Sequence, residues 1–262
     1  MMENPVFNRE FRTRLRSRKT RAIRLAIGIP AAFIIIVSYY QLMAAMIREV
    51  GTERGEVWVV ASFLQLLLIC FIVPGLTANS VSQEKEQRTW GLLLITRLSA
   101  WQIIWGKLLA RLMPVPILMI AFVPFQVYSA VGARMPAFQT VGTYVILLAC
   151  VFFFAAQAFF WSWAFRRTSL AISAAYGTVF FFSVGTLLLD GLINLAVAGE
   201  FETGYLEWVN PFYVLGYLFD ESKVNTFRDA VDVIGALAVL YVALGVILLL
   251  AMRYYLDRSR TE

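Results

Sequence analysis

Long apolar runs with few charges alternate with short polar stretches along the whole chain. Six such runs stand out, at approximately 24–46, 57–81, 104–131, 139–164, 170–198 and 229–252. Each meets the length of about 20 residues that a helix needs to cross the hydrocarbon core of a bilayer. The runs are continuously apolar, so they predict helices and not the short alternating segments of a barrel. The expected fold is an all-α polytopic membrane protein: one transmembrane domain over 1–262 with six transmembrane helices.

The polar stretches carry their own patterns. Before the first run, Asn4 can cap a helix and Pro5 suits its first position. Phe7, Phe11 and Leu15 then recur at helical spacing among arginines. This predicts a basic amphipathic helix over 4–20, lying in the interface and also holding the N-terminus inside. Its long apolar sequel, with no A-x-A-like site after it, reads as an uncleaved anchor.

After the second run, Ser82-Gln83-Glu84-Lys85-Glu86-Gln87-Arg88-Thr89 is dense in charge of both signs. From Trp90 on, Leu93 and Leu94 give helical apolar spacing. A short helix is therefore expected against the membrane within an 82–98 loop. Ser99 with Gln102 matches a capping box that would start the third span. Between the last two spans, the apolar part from Tyr205 to Phe219 is too short to cross and predicts a re-entrant or interfacial helix over 205–219. Asn210 would cap it, with Pro211 in its first turn, and Trp208, Tyr213 and Tyr217 suit the headgroup level. Pro30, Pro74, Pro114, Pro116 and Pro124 should kink or locally unwind their helices, above all in the third span.

Composition agrees with this reading. Of 262 residues, 60% are hydrophobic and 15% charged, a balance that leaves little for a soluble domain. The net charge of +6 is informative through its placement. Arg9, Arg12, Arg14, Arg16, Arg18, Lys19, Arg21 and Arg24 precede the first span. Lys85, Arg88, Arg97, Lys107 and Arg111 connect the second and third, Arg166 and Arg167 the fourth and fifth, and Arg253, Arg258 and Arg260 follow the last. The alternate loops hold fewer cations and most of the acids, among them Glu49, Glu53, Glu56, Glu200, Glu202, Glu207, Asp220 and Glu221. By the positive-inside rule both termini are expected in the cytoplasm. The basic charge then marks a membrane face and not a nucleic-acid site.

Histidine is absent, which removes a Ser-His-Asp triad, a His-liganded zinc site and a histidine proton relay. Cys70 and Cys150 sit inside apolar runs and read as small buried residues, and no metal site is expected. Asp190 is the one ionisable residue well inside a predicted span. With Asn194 it forms a candidate intramembrane polar site, a structural contact being the other reading.

The segment from Glu84-Lys85-Glu86 through Arg88-Thr89, Leu92-Leu93-Leu94, Leu98-Ser99 and Gly106-Lys107-Leu108-Leu109 resembles the cytoplasmic loop of type-2 ABC transporter permeases. That loop often reads E-x-E-x-G-T-x-x-x-L-L, followed by a small turn and G-K. The Asn4-Pro5-Val6 opening and the Asn210-Pro211-Phe212-Tyr213 element are similar to the same family. Arg88 stands where the family often has glycine, and Arg97 where proline is frequent; neither breaks the helix or the charge pattern. The resemblance implies a coupling helix between spans two and three that meets an ATP-binding subunit through Glu84, Lys85, Glu86, Arg88 and Thr89. It also implies an outer gate at Asn210 and Pro211, a second permease chain (as homodimer or heterodimer), and residence in a bacterial inner membrane.

The chain holds no G-x-x-x-x-G-K-[ST] phosphate loop. Accordingly it is expected to be no enzyme itself, with ATP and Mg bound by the partner subunit. A permease of an ABC exporter is the leading expectation. A non-transporting membrane anchor or assembly factor for an ATPase complex would use the same loop, whereas an ion-coupled carrier finds thin support in Asp190 alone. The cargo is not legible in the aromatic and aliphatic walls.

Overall fold

A computed structural model describes residues 54–91, 99–133, 136–196, 206–220, 224 and 227–258. The expected helix over 4–20, the first span at 24–46 and residues 92–98 of the charged loop lie outside the described residues. Those described are helical: α1 Arg54–Thr77, α2 Ser82–Glu86, α3 Ala100–Leu112, α4 Val115–Ala133, α5 Ala137–Ala164, α6 Thr168–Phe180, α7 Thr186–Ala196, α8 Pro211–Leu218 and α9 Phe227–Arg258. Among them, four helices are long and apolar enough to cross a membrane, or five if a bent pair counts as one span.

Two compact units divide the chain, Met1–Ala61 with Leu98–Arg134, and Ser62–Arg97 with Met135–Glu262. In the first, the expected capping box is present. The Ser99 hydroxyl accepts from the Gln102 amide at 3.2 Å, and Gln102 Oε1 accepts from the Ser99 amide at 2.9 Å. The helix so started begins at Ala100, earlier than the 104 expected for the third span, and stops at Leu112. That span is therefore not one straight helix: α3 and α4 are bent by 40° at a break. Pro114 causes it, because its ring fills the space of a helical carbonyl and its nitrogen carries no hydrogen to donate. Lys107, placed by its sequence among the loop cations, is fully buried in α3.

The second unit is built around α5. In its apolar window 72% is buried, against 17% for the stretch Thr168–Ile193 and 28% for α9, which identifies the central helix. Helices α9 and α6 pack along it. Polar side chains on α5 knit it to its neighbours, as expected where the apolar solvent removes the hydrophobic drive between helices. Gln157 Nε2 donates to the Ala175 carbonyl at 3.3 Å, Trp161 Nε1 to Thr178 Oγ1 at 2.8 Å, and Gln139 Nε2 to the Leu218 carbonyl at 3.4 Å. Phe153, Phe154 and Phe182 surround the buried Tyr241 ring at centroid distances of 4.6, 6.1 and 5.9 Å. Close approach of α5 and α9 needs a small residue, and a Cβ on Gly245 would meet Phe152 Cε1 at 2.6 Å. Cys70 and Cys150 are buried free thiols, as their sequence setting suggested.

Over the described part of the fifth expected run, 170–198, the chain is one continuous rod from Thr168 to Ala196 with an internal irregularity. Between α6 and α7, residues Phe181–Gly185 form a π-helical turn. Such turns leave carbonyls poorly served by the helix's own ladder and concentrate at functional places. The side chain that serves one of them belongs to Asn210, the residue just before α8.

Candidate functional site

The charged segment after α1 folds into the five-residue helix α2, which has no cap of its own, since Val81 stands at the N-cap position. Its orphan amides are taken up by α5. Ser162 Oγ accepts from the Val81 amide at 2.9 Å and from the Ser82 amide at 3.0 Å, and its hydroxyl also contacts Ser82 Oγ at 3.3 Å. One hydroxyl thus supplies what the first turn of any helix lacks.

Lys85 and Glu86 turn back onto the chain. Lys85 Nζ donates to the Trp163 carbonyl in the last turn of α5 and lies 5.5 Å from the Trp163 ring centroid and 6.0 Å from that of Trp90. A cation at a helix C-terminus, over aromatic faces, is favourably placed on both counts. Glu86 reaches the start of α6, where Arg167 at the N-cap position makes no side-chain cap. Its Oε1 accepts from the Thr168 amide at 2.7 Å and its Oε2 from the Thr168 hydroxyl at 2.8 Å. These two bonds, the amide's first, hold the Glu86 carboxyl below its ordinary range, and Arg167 adds to the effect.

The remaining candidates divide differently. Glu84 is half-buried, and its carbonyl accepts from the Thr89 amide at 2.9 Å. Arg88 and Thr89 are exposed, as are Gln83 and Gln87 and, beside them in the turn after α5, Arg166 and Arg167. Arg88 adopts φ 56°, a left-handed conformation. The helix ends before it, at Glu86, so the expectation that Arg88 leaves the helix unbroken does not hold. Glycine takes this conformation at no steric cost, which accounts for the glycine of the family pattern at that place.

At the opposite end of α5, where Gln139 meets Leu218, lies the second candidate. Helix α8 begins as expected: Asn210 Oδ1 accepts from the Phe212 and Tyr213 amides at 2.9 and 3.1 Å, and Pro211 follows in the first turn. The helix covers only Pro211–Leu218 of the expected 205–219, preceded by a 3₁₀ turn at Glu207–Val209. Asn210 does more than cap. Its Nδ2 donates to the Ser183 carbonyl in the π-helical turn at 2.7 Å and to Thr186 Oγ1 at 2.9 Å. Tyr241 on α9 fixes the same corner, donating to the Val209 carbonyl at 2.9 Å.

Trp208, Tyr213 and Tyr217 form one aromatic cluster beside it, with centroids 4.9 to 6.2 Å apart. The Tyr213 hydroxyl is hydrogen-bonded to Glu207, which, with partial burial, raises the phenol to about 12. Asp190 is buried within reach of Tyr213's electrostatics. The side chain of Asn194, its expected companion, lies outside the described residues. No group of three or more Cys, Asp or Glu able to hold a metal exists among the described residues.

Ser162, Trp163, Thr168, Ser183 and Thr186 were not singled out by sequence. Each is an ordinary small or aromatic residue, in an apolar run or, for Thr168, in the short turn between two, and its partner lies far along the chain. Arg167 at a helix start was the one available signal, since it cannot cap.

Against known proteins, a family model described as ABC-2 family transporter protein matches residues 5–258, nearly the whole chain. No curated protein matches it.

Proposed function

The chain belongs to the ABC-2 family of transporter proteins, and from this premise we propose that it is the membrane-embedded permease of an ATP-driven exporter. The single observation that carries the reading is the family match over 5–258, on a chain of helices long and apolar enough to span a bilayer. ATP and Mg are bound and consumed by a separate ATP-binding subunit. Two permease chains, identical or different, enclose the path. Export is the proposed direction by analogy with the family's exporters. The distribution of Lys and Arg supports both termini in the cytoplasm of a bacterial inner membrane.

On this reading the segment 82–98 is the coupling element. Glu84, Arg88 and Thr89 meet the ATP-binding subunit, while Lys85 and Glu86 tie the element to the permease. Helix α8 and Asn210 stand at the outer mouth. Closure of the ATP-binding subunits on nucleotide would displace the coupling element and bias the helices between two arrangements.

Co-purification tests it. The chain, expressed with its chromosomal neighbours, should retain a P-loop ATPase through detergent extraction, and Glu84→Lys with Arg88→Glu should weaken that association. Absence of any associated ATPase would overturn the proposal. A stable complex that hydrolyses ATP yet moves no solute in vesicles would instead establish an anchoring role.

A further inference from the structure

Helices α2 and α6 lack an N-terminal cap from their own N-cap residue, and each takes one from another helix. Val81 and Arg167 occupy the N-cap positions of α2 and α6, and neither side chain caps. Ser162 of α5 caps α2, and Glu86 of α2 caps α6. Lys85 closes the circuit from α2 to the last turn of α5. Hence α2 is bound on one side to the end of the central helix and on the other to the beginning of the next span.

The two attachments differ in kind. At Ser162 the contact is buried and neutral, with the hydroxyl 0% exposed among packed helices. At Glu86 the carboxylate is exposed, and its two bonds to Thr168 join that end of α2 to the start of α6. Both oxygens are engaged, one by the backbone amide and one by the hydroxyl. A charged acceptor on a helix N-terminus is favoured by the orphan amides and the helix dipole together. Moreover α6 opens the Thr168–Ile193 stretch, whose apolar window is 17% buried against 72% for that of α5, so among the described helices it stands at the edge of the bundle and not at its center.

We propose that Glu86 is a positioning residue through which displacement of the 82–89 segment is delivered to the Thr168–Ile193 span, by way of the Thr168 amide and hydroxyl. The inference rests on the transporter reading above and adds to it the span that is driven and the bond that drives it. The segment pulls on the amino end of α6 as a cap pulls on its helix. The π-helical turn at 181–185, held by Asn210, is where that rod is locally least regular.

Pulsed electron paramagnetic resonance on the full complex in nanodiscs, chain plus co-purified ATP-binding subunit, tests it. Nitroxides are placed at Leu188→Cys and Val231→Cys, both exposed, on α7 and α9 respectively. The unaltered chain is expected to show a change in the Leu188–Val231 distance on trapping with ATP and vanadate. Glu86→Ala should keep the subunit bound and lose that change. Thr168→Ser, which retains both donors, should preserve it, and Thr168→Val, which folds with the amide bond intact, should reduce it. The inference is overturned if Glu86→Ala or Thr168→Val leaves the change intact, if Glu86→Ala releases the subunit, or if the unaltered complex shows no change. Failure of any ATP-binding subunit to co-purify with the unaltered chain would remove the transporter reading itself, a separately visible result.

Discussion

Asn210 donates a hydrogen bond from its side-chain amide to the Ser183 carbonyl at 2.7 Å, while its amide oxygen caps α8. All the bonding capacity of one fully buried side chain is used, half on its own helix and half on a π-helical turn of another. The chemistry is specific to an amide, which offers donors and an acceptor on one planar group.

Substitution should show that specificity. Asn210→Ala removes the cap and strands the Ser183 carbonyl in an apolar setting, together a loss of about 2–4 kcal/mol from cap and desolvation terms. Asn210→Asp keeps the cap but turns an oxygen toward the Ser183 carbonyl, so it should be no better than alanine. Thermal unfolding in detergent, followed by loss of monodispersity, measures both. Wild-type behaviour of Asn210→Asp would show that the bond to Ser183 contributes nothing.

At the other end of the central helix, the Ser162 hydroxyl serves two amides, those of Val81 and Ser82. Ser162→Ala should cost about 1–3 kcal/mol for buried donors left without an acceptor. Ser162→Thr should retain most of the stability. Hydrogen exchange gives a local readout, since the Val81 and Ser82 amides should lose protection in the alanine variant while those in the middle of α5 keep theirs. Unchanged protection at 81–82 would remove Ser162 as the cap of α2.

These contacts explain what was and was not legible in the sequence. Ser99 with Gln102, and Asn210 with Phe212 and Tyr213, are local: donor and acceptor lie within one turn, so residue type and spacing reveal them. The pairs Ser162 with Ser82 and Glu86 with Thr168 are separated by 80 and 82 positions, and no local rule connects them. Apolar runs announced the helices, because burial in lipid demands them. They did not announce the order of burial, since α5 and the Thr168–Ile193 stretch are both apolar and only packing distinguishes center from edge. Pro114 announced an irregularity in the third span, yet its outcome as a 40° bend depends on neighbours. The π-helical turn had no signal of its own, as its partner Asn210 was already explained by the helix it caps.

Arg88 offers a test of backbone strain. Its φ of 56° costs a residue with a Cβ roughly 1–2 kcal/mol that glycine does not bear. After allowance for glycine's greater freedom in the unfolded chain, Arg88→Gly should stabilise the protein by about 0.5–1 kcal/mol. Arg88→Val, β-branched and poorly suited to this region, should lower the unfolding midpoint instead. An unfolding midpoint that falls with glycine would mean that the Arg88 side chain contributes more than its backbone costs.

The pH dependence of the bond between Glu86 and Thr168 follows from its sign. The folded protein holds the Glu86 carboxyl below its ordinary value, so the contribution is complete above the unfolded value and is lost as pH falls through the folded one. An unfolded glutamate titrates near about 4.3. The difference in unfolding midpoint between the unaltered chain and Glu86→Gln should therefore be constant from near-neutral pH down to about 5.5, well above that range, and shrink toward zero only below it. Thr168→Val, which keeps the amide bond but loses the hydroxyl, should show a smaller difference that disappears over a window nearer the ordinary carboxylate range. A difference that changes between pH 6 and 8, about where no carboxylate with a lowered value titrates, would show that some group other than Glu86 governs this junction.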